Sequence, residues 1–386
     1  NSIGNFQYAP PNGYLALCSQ NLPTPTIIDG SAAFNTVLFS ANNSTQSITG
    51  VGFQPDWVWT KSRTNAYGHG LYDSVRGVNL RLRSNSTDAE VSQANMLNSF
   101  DADGFSLGQN DDANYLGSGV AWNWKSGGTP TATNSAGVGA VPTTGSVLID
   151  GVASTSALAG TIAANKITAN TVAGFSIINY TGNGLSGQTV AHGLSSTPEF
   201  LIHKDRGTNS NNNQWNAWHL YAGDGNDYGY LSTTSAFTGD AQIIPNGTDT
   251  IELKAHLTTS NQSGHSFIMY AFHSVEGYSK ASSFVGNGST DGPFVYTGFR
   301  PAWVMVKRAV GGSNNWDIMD SKRSLYNVLN KRLFANLTNS EDTLDLVDFT
   351  ANGFKIRNNV NSQNASGSTY IYLAFAETPF KHSNAR

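Results

Sequence analysis

One short motif occurs three times along this chain, and its recurrence restricts the fold more than any other feature. The copies are GFQPDWVWTKSR around Pro55, GLSSTPEFLIHKDR around Pro198 and GFRPAWVMVKR around Pro301. Later features keep a similar offset, since Phe105 follows Pro55 by 50 residues and Phe354 follows Pro301 by 53. A motif that recurs together with its surroundings is typical of a repeated structural unit rather than an active site. The sequence therefore predicts three tandem repeats of about 100 residues each.

The motif itself has the pattern of a β-strand. Residues alternate after a Gly/Pro turn, so Trp57 and Trp59 share one face of the strand and Val58 lies on the other. Phe200 and Trp303 hold the position of Trp57 in the other two copies. Because this position is large and apolar each time, we predict that its face of the strand is buried in a core.

The remaining segments favour strands and turns over helices. Short apolar stretches recur in each copy between Gly, Asn and Asp turns, and the chain has 40 Gly and 12 Pro. The exception is SLYNVLNKRLFANL, residues 324 to 337, whose spacing also suits a short helix capped by Ser324. We predict an all-β chain made of three tandem antiparallel β-sandwich repeats.

The expected domain boundaries follow from the repeats and from one region rich in Gly, Ser, Thr and Pro. That region, SGGTPTATNSAGVGAVPTTG, begins at residue 126 and is typical of a linker. The segment that follows it is expected to add an edge strand or a short arm. The predicted parts are an N-terminal extended segment (1–35), repeat 1 (36–127), a linker with an edge strand (128–173), repeat 2 (174–276) and repeat 3 (277–386).

A DS-x-R pattern occurs in repeats 1 and 3, with Asp73 and Arg76 in the first and Asp320 and Arg323 in the last. The functional interpretation is a catalytic acid with its partner. The structural interpretation is a turn whose carboxylate accepts backbone N–H bonds and binds a guanidinium group. Because the pattern fills the same place in two repeats, we favour the structural interpretation.

Composition and motifs exclude several classes of function. Charged residues make up 12% of the chain and the net charge is −4, which gives no attraction for nucleic acid. No run of 18 or more apolar residues exists, so membrane insertion is not expected. The sequence lacks a P-loop and the spacings of zinc ligands. We predict a protein that is not an enzyme and needs no cofactor.

Binding candidates come from a loop that only repeat 2 has. Tyr221, Tyr228 and Tyr230 lie there beside Asp224 and Asn226. Flat aromatic rings next to amide and carboxylate groups suit a neutral polysaccharide, which offers apolar ring faces and many hydroxyl groups. The alternative, which the residue types favour, is that these tyrosines cover the flank of the sandwich.

Paired carboxylates in loops raise the question of calcium. Asp224 and Asp227 in DGNDYG are the best candidates, and Asp111 with Asp112 is a further pair. Asp, Asn and Gly in loops more often serve turn geometry. We therefore expect no metal, with calcium at Asp224 and Asp227 as the alternative.

The combination of YTGNG, GFxPxWVxxKxR, DSxR, DGFxL and YxAFxE resembles an uncharacterised repeat family of structural, tail-fibre-like proteins of marine bacteriophages. The similarity extends over nearly the whole chain, although repeat 2 lacks GFxP and DSxR. The opening NFQYAPPNGYLALCSQNLPTPTI is similar to the segment that follows a SPRY or concanavalin-like lectin domain in many relatives. The resemblance implies a virion component and brings no catalytic residues.

These observations lead to one expected function and two alternatives. We expect a non-enzymatic tail fibre or spike in the virion, which contacts other virion proteins and host-surface polysaccharide. A homo-oligomer is expected, with a trimer by analogy with fibres. The alternatives are a capsid decoration or tail scaffold protein with no receptor role, and a polysaccharide depolymerase with a carboxylate pair in a groove between repeats. Because the chain begins at Asn1 rather than Met, we also expect a processed chain or a fragment.

Overall fold

The computed structural model describes residues 26–207, 213–254 and 259–376. Regular structure in these residues is almost entirely β, which confirms the all-β prediction. Strands fall into three parts, which we call unit 1 (34–124), unit 2 (175–272) and unit 3 (279–376). The helical elements of the described residues are short: 3₁₀ turns at Gly30–Ala32 and Asp112–Asn114, and an α-helix at Asn361–Asn364.

Unit 1 contains two sheets and a small hairpin. Its strands are β1 (Phe34–Ser40), β2 (Gln46–Thr49), β3 (Trp57–Ser62), β4 (Gly70–Asp73), β5 (Leu80–Arg81), β6 (Val91–Ser92), β7 (Leu97–Asp101), β8 (Gly104–Leu107) and β9 (Ser118–Trp124). One sheet has the order β1-β9-β3-β4 and the other β2-β8-β7, while β5 pairs with β6. The motif strand β3 is therefore central in the first sheet.

Unit 2 is preceded by three strands that extend its sheet: β10 (Val147–Ile149), β11 (Val152–Ala153) and β12 (Lys166–Asn170). Its own strands are β13 (Phe175–Thr181), β14 (Gln188–Ala191), β15 (Phe200–Asp205), β16 (Asn216–His219), β17 (Tyr228–Tyr230), β18 (Ile243–Asn246), β19 (Thr250–Leu253) and β20 (Ser266–Phe272). The sheets have the orders β11-β10-β12-β13-β20-β15-β16-β17 and β14-β19-β18. The region at 128–173 thus contributes β-structure as well as a connection.

Unit 3 joins its strands into one eight-stranded sheet. The strands are β21 (Ser279–Val285), β22 (Phe294–Tyr296), β23 (Pro301–Val310), β24 (Trp316–Asp320), β25 (Leu329–Phe334), β26 (Asp342–Thr350), β27 (Gly353–Ile356) and β28 (Thr369–Ala376), in the order β21-β28-β23-β24-β25-β26-β27-β22. The helix considered for residues 324 to 337 is wrong. β25 occupies that segment because it pairs with β24 and β26 and buries Leu329 and Leu333.

The three units share one strand order. Taking the strands of each unit in sequence, the sheet with the motif strand runs first, last, third, fourth: β1-β9-β3-β4, β13-β20-β15-β16 and β21-β28-β23-β24. The partner strands also recur, as β2-β8-β7, β14-β19-β18 and β22-β27-β26. We call the sheets with β3, β15 and β23 the inner sheets. Each unit therefore has the same order of strands in these two sets.

Both faces of the motif strand are buried, which the alternating pattern did not predict. Val58 packs inside unit 1 with Phe105 and Leu107 of the opposite sheet. Trp57 and Trp59 point the other way and belong to an apolar cluster that includes residues of all three units. The predicted core face is therefore buried between the units rather than inside one sandwich.

This shared cluster is built largely from aromatic rings, and we call its centre the central aromatic core. Ring centroids of Trp57 and Tyr270 are 4.4 Å apart, and those of Phe34 and Phe375 are 4.9 Å apart. Trp124 meets Trp303 edge to face at 5.7 Å. Offset and edge-to-face pairs at such distances add to the free energy that burial of the rings already provides. The central aromatic core thus joins unit 1 to both other units.

Three equivalent lysines link the units in a cycle. Each lies six residues after its motif proline, is fully buried and donates to a threonine carbonyl of another unit. The Nζ–O distances are 3.0 Å for Lys61 to Thr338, 3.1 Å for Lys204 to Thr87 and 2.8 Å for Lys307 to Thr234. Unit 1 therefore binds unit 3, unit 3 binds unit 2, and unit 2 binds unit 1.

A second set of equivalent hydrogen bonds follows the same cycle. In each unit, the residue four positions before the end of the fourth strand places a ring nitrogen close to a backbone carbonyl of another unit. The pairs are His69 with Phe334 at 2.9 Å, Trp215 with Arg83 at 2.7 Å and Trp316 with Tyr230 at 3.0 Å. Equivalent donors that reach equivalent acceptors around a closed cycle give the chain a threefold pseudosymmetry.

Replacing Trp303 by Ala should lower the free energy of unfolding by about 3–5 kcal/mol, because it leaves a cavity where unit 3 packs on unit 1. Tyr326→Ala is the matched control, since Tyr326 is 83% exposed and its loss should change stability by less than about 0.5 kcal/mol. Chemical denaturation followed by circular dichroism measures both. Equal effects of the two substitutions would contradict a core shared between units.

The buried lysines also predict how stability depends on pH. Burial lowers the pKa to about 8 for Lys61 and Lys204 and to about 7 for Lys307, against an ordinary value of 10.5. Between these values the folded chain holds fewer protons than the unfolded chain, so its stability should rise with pH from about 7 to 9.5. Lys307→Met should make this rise shallower, by up to ~1.4 kcal/mol per pH unit. Lys322→Met, at an exposed lysine, is the control and should keep the wild-type slope of stability against pH. A wild-type slope in Lys307→Met would refute the lowered pKa of Lys307.

Candidate functional site

The loop of unit 2 that carries the predicted glycan-binding residues forms the last strand of its inner sheet. β17 pairs with β16 there, and it places the rings of Tyr228 and Tyr230 in contact at 5.4 Å and 83°. Tyr221 lies apart from this pair, 5.9 Å from the ring of His219, and is 41% exposed. The structure therefore brings together two of the three tyrosines, and Tyr228 packs partly against the core of unit 2.

The polar neighbours of these tyrosines are used by the fold. The side-chain amide of Asn226 donates to Asp240 at 3.1 Å and its oxygen accepts from Lys254 at 2.8 Å. Asp224 accepts the backbone N–H of Asn226 at 2.9 Å, which fixes the turn. An amide that is satisfied by two protein partners has little capacity left for a sugar hydroxyl. This geometry favours the interpretation that the loop covers the sandwich.

The calcium alternative involves Asp224 and Asp227. Burial and the negative charge of Asp224 raise the pKa of Asp227. Within residues 26–207, 213–254 and 259–376, no group of three or more His, Cys, Asp or Glu side chains is placed to hold a metal ion. Two carboxylates alone fall short of the six to eight oxygen ligands that calcium takes.

The DS-x-R residues lie at the boundaries between units. Asp73 accepts the backbone N–H of Arg76 at 2.8 Å and the hydroxyl of Tyr270 from unit 2 at 2.8 Å. Asp320 likewise accepts the backbone N–H of Arg323 at 2.8 Å and the indole N–H of Trp122 from unit 1 at 3.0 Å. Both aspartates are fully buried. Because each accepts from its own turn and from another unit, each joins that turn to a neighbouring unit.

A polar cleft of unit 1 combines aromatic and hydrogen-bonding groups at the surface. It encloses 460 Å³, and we call it the Tyr115 cleft. Its lining residues are Asn43, Tyr67, Arg81, Gln93, Gln109, Asn110, Asp111, Asp112 and Tyr115. The rings of Tyr67 and Tyr115 meet edge to face at 5.7 Å and 80°, and Tyr115 is 45% exposed. Such a cleft offers a ligand both aromatic ring faces and hydrogen-bonding groups.

The floor of the Tyr115 cleft is fixed by a buried carboxylate. Asp111 accepts the hydroxyl of Tyr72 at 2.7 Å, the hydroxyl of Thr60 at 3.1 Å and the backbone N–H of Ala113 at 2.9 Å. Burial raises the pKa of Asp111, while the hydroxyl of Tyr72, the charge of Arg81 and the N–H of Ala113 act in the opposite direction. The bond to Ala113 caps the 3₁₀ turn at Asp112–Asn114 and so sets the positions of Asp112 and Tyr115.

Sequence reasoning noticed Asp111 and Asp112 only as a calcium alternative and missed the cleft. Its residues come from segments that are far apart in the chain, from Asn43 to Tyr115, and no spacing rule connects them. Two tyrosines outside strands, next to amide-rich turns, are the only signal that the sequence offers. Asp112 forms ion pairs with Arg81 at 3.2 Å and with Arg83 at 2.8 Å.

The chain matches the family described as a domain of unknown function (DUF7483) over residues 29–150 and 148–379. It belongs to that family. No curated protein and no solved structure gives a match. Among the described residues, no helix of this DUF7483 protein is long and apolar enough to cross a membrane.

The two kinds of amide described above should respond differently to mutation. Asn226→Ala removes a donor and an acceptor that hold the loop of unit 2, and should lower the free energy of unfolding by about 1–3 kcal/mol. Gln109→Ala removes an exposed amide of the Tyr115 cleft and should change it by less than about 0.5 kcal/mol. Thermal or chemical unfolding distinguishes the two. A stable Asn226→Ala variant would return that residue to the candidates for ligand binding.

Proposed function

We propose that the protein is a non-enzymatic structural component of a bacteriophage particle, a tail fibre or spike that attaches to polysaccharide on the host surface. The resemblance of its motifs to marine phage structural proteins supports the virion location. The observation that carries the attachment role is a body of three units with a shared apolar core, which presents the Tyr115 cleft at its surface. Such a body holds weak surface sites at fixed distances, so that several copies on one particle sum to firm attachment.

Two acids among the described residues, Glu90 and Asp317, lack the properties of a glycosidase acid, which weighs against the depolymerase alternative. Burial opposes ionisation of Glu90, but the guanidinium groups of Arg76 and Arg206 lower its pKa, and their distances to it are 2.9 Å and 2.7 Å. A glycosidase acid needs a raised pKa and access to substrate. Burial raises the pKa of Asp317 to about 6, but its side chain is fully buried and bound by Arg332 and Gln363.

The capsid decoration or tail scaffold alternative differs in where the protein lies on the particle. Gold-labelled antibody against the exposed turn around Asp224, applied to intact particles of the encoding phage, locates it by electron microscopy. We expect label at the tail or its fibres. Label spread over the head would replace the proposal with a decoration role, and release of reducing sugar from host polysaccharide would replace it with an enzyme.

A further inference from the structure

We propose that the Tyr115 cleft is a binding site for a neutral carbohydrate, with the Tyr115 ring as the surface on which a sugar ring stacks. This inference rests on the proposed attachment function and moves its binding site from the loop of unit 2 to unit 1. Three properties of the cleft support it: unused hydrogen-bonding groups, balanced charge and a rigid frame.

Polar groups in the cleft are free to bind a ligand. The side-chain amides of Gln93 and Gln109 are exposed and make no hydrogen bond with any residue in the described ranges. The hydroxyl groups of Tyr67 and Tyr115 are likewise without a partner among those residues. An amide offers a donor and an acceptor together, and a hydroxyl group does the same. This matches the neighbouring hydroxyl groups of a sugar, each of which also donates and accepts.

The charges in the cleft pair off with one another. Asp112 accepts from Arg81 at 3.2 Å and from Arg83 at 2.8 Å, so it bridges the two guanidinium groups. Arg81 is only 6% exposed and also donates to the carbonyl of Asn110 at 3.1 Å. Phosphate or carboxylate ligands need unpaired cationic groups, which a bridged pair of arginines does not supply. A neutral ligand therefore fits better than a nucleotide or an acidic sugar.

The cleft is formed before any ligand arrives. Asp111 fixes the turn that carries Tyr115, and Asn114, buried on the same turn, donates to Ser44 at 2.8 Å and to Gly108 at 3.0 Å. Loop residues held by buried hydrogen bonds lose little conformational entropy on binding. The volume of 460 Å³ lies within the range of small-molecule sites. These features suit one or two sugar residues at the end or side of a glycan chain.

Saturation-transfer NMR on the full chain tests the proposal, with neutral hexose and N-acetylhexosamine oligosaccharides as probes and polygalacturonate as the acidic comparison. We expect binding of a neutral probe that Tyr115→Ala weakens by about tenfold or more. Gln109→Ala should weaken it less, because the ring remains. Tyr221→Ala is the matched control, since Tyr221 is a similarly exposed tyrosine, and it should leave binding unchanged.

Each other outcome overturns a distinct statement. Loss of binding in Tyr221→Ala with none in Tyr115→Ala would place the site in unit 2, which leaves the attachment function standing and refutes the cleft. Binding of polygalacturonate alone would refute the neutral class. A wild-type chain that binds no probe would refute both the cleft and the role in glycan attachment, whereas the position on the particle is decided separately by gold labelling.

Discussion

Burial of the second face of each inner sheet is the constraint on which the rest of the structure depends. A two-sheet sandwich covers one face of each sheet and leaves the other to solvent. Here the second face carries Trp57, Trp59 and Trp303, which are too large and apolar to be left in water. The three units therefore cover one another, and the central aromatic core is an interior that all three units share.

Repeat 2 differs from the other repeats at positions that contact a neighbouring unit. Position 73 of unit 1 and position 320 of unit 3 are aspartates, while the equivalent residue of unit 2 is His219, which lies 3.2 Å from the carbonyl of Tyr372 in unit 3. The arginines that reach the next unit, Arg63 and Arg206, have Ala309 as their equivalent in unit 3. The boundary between units 2 and 3 therefore lacks both the aspartate, replaced by His219, and the arginine, replaced by Ala309.

That boundary uses apolar contacts instead. Phe237 of unit 2 packs on Trp316 of unit 3 at 5.9 Å, and its backbone N–H donates to the carbonyl of Ala309 at 3.0 Å. Buried ion pairs and well-packed apolar groups often have similar net free energies, so a boundary can change from one to the other without loss of stability. The unequal conservation of motifs among the repeats is therefore consistent with a closed ring of three units.

The sequence predicted the parts of the fold that depend on local pattern and missed those that depend on assembly. The all-β class and the buried face at Trp57 follow from composition and alternation. Alternation alone missed that Val58 is buried as well. The unbroken apolar runs WVW at 57–59 and WVMV at 303–306 are the pattern of a strand that is covered on both faces. The β25 segment looked helical because Leu329 and Leu333 are four residues apart. The Tyr115 cleft could not be predicted because only the fold unites Asn43 with Tyr115.

The central claim is that the three units are one cooperative body held by a shared core. Native-state hydrogen exchange of the central strands β3, β15 and β23 tests it most directly, because exchange reports the free energy at which each strand opens. The account predicts that their slowest amides exchange through one common opening with the same free energy. Three separate values, each confined to one unit, would show independent domains and contradict it.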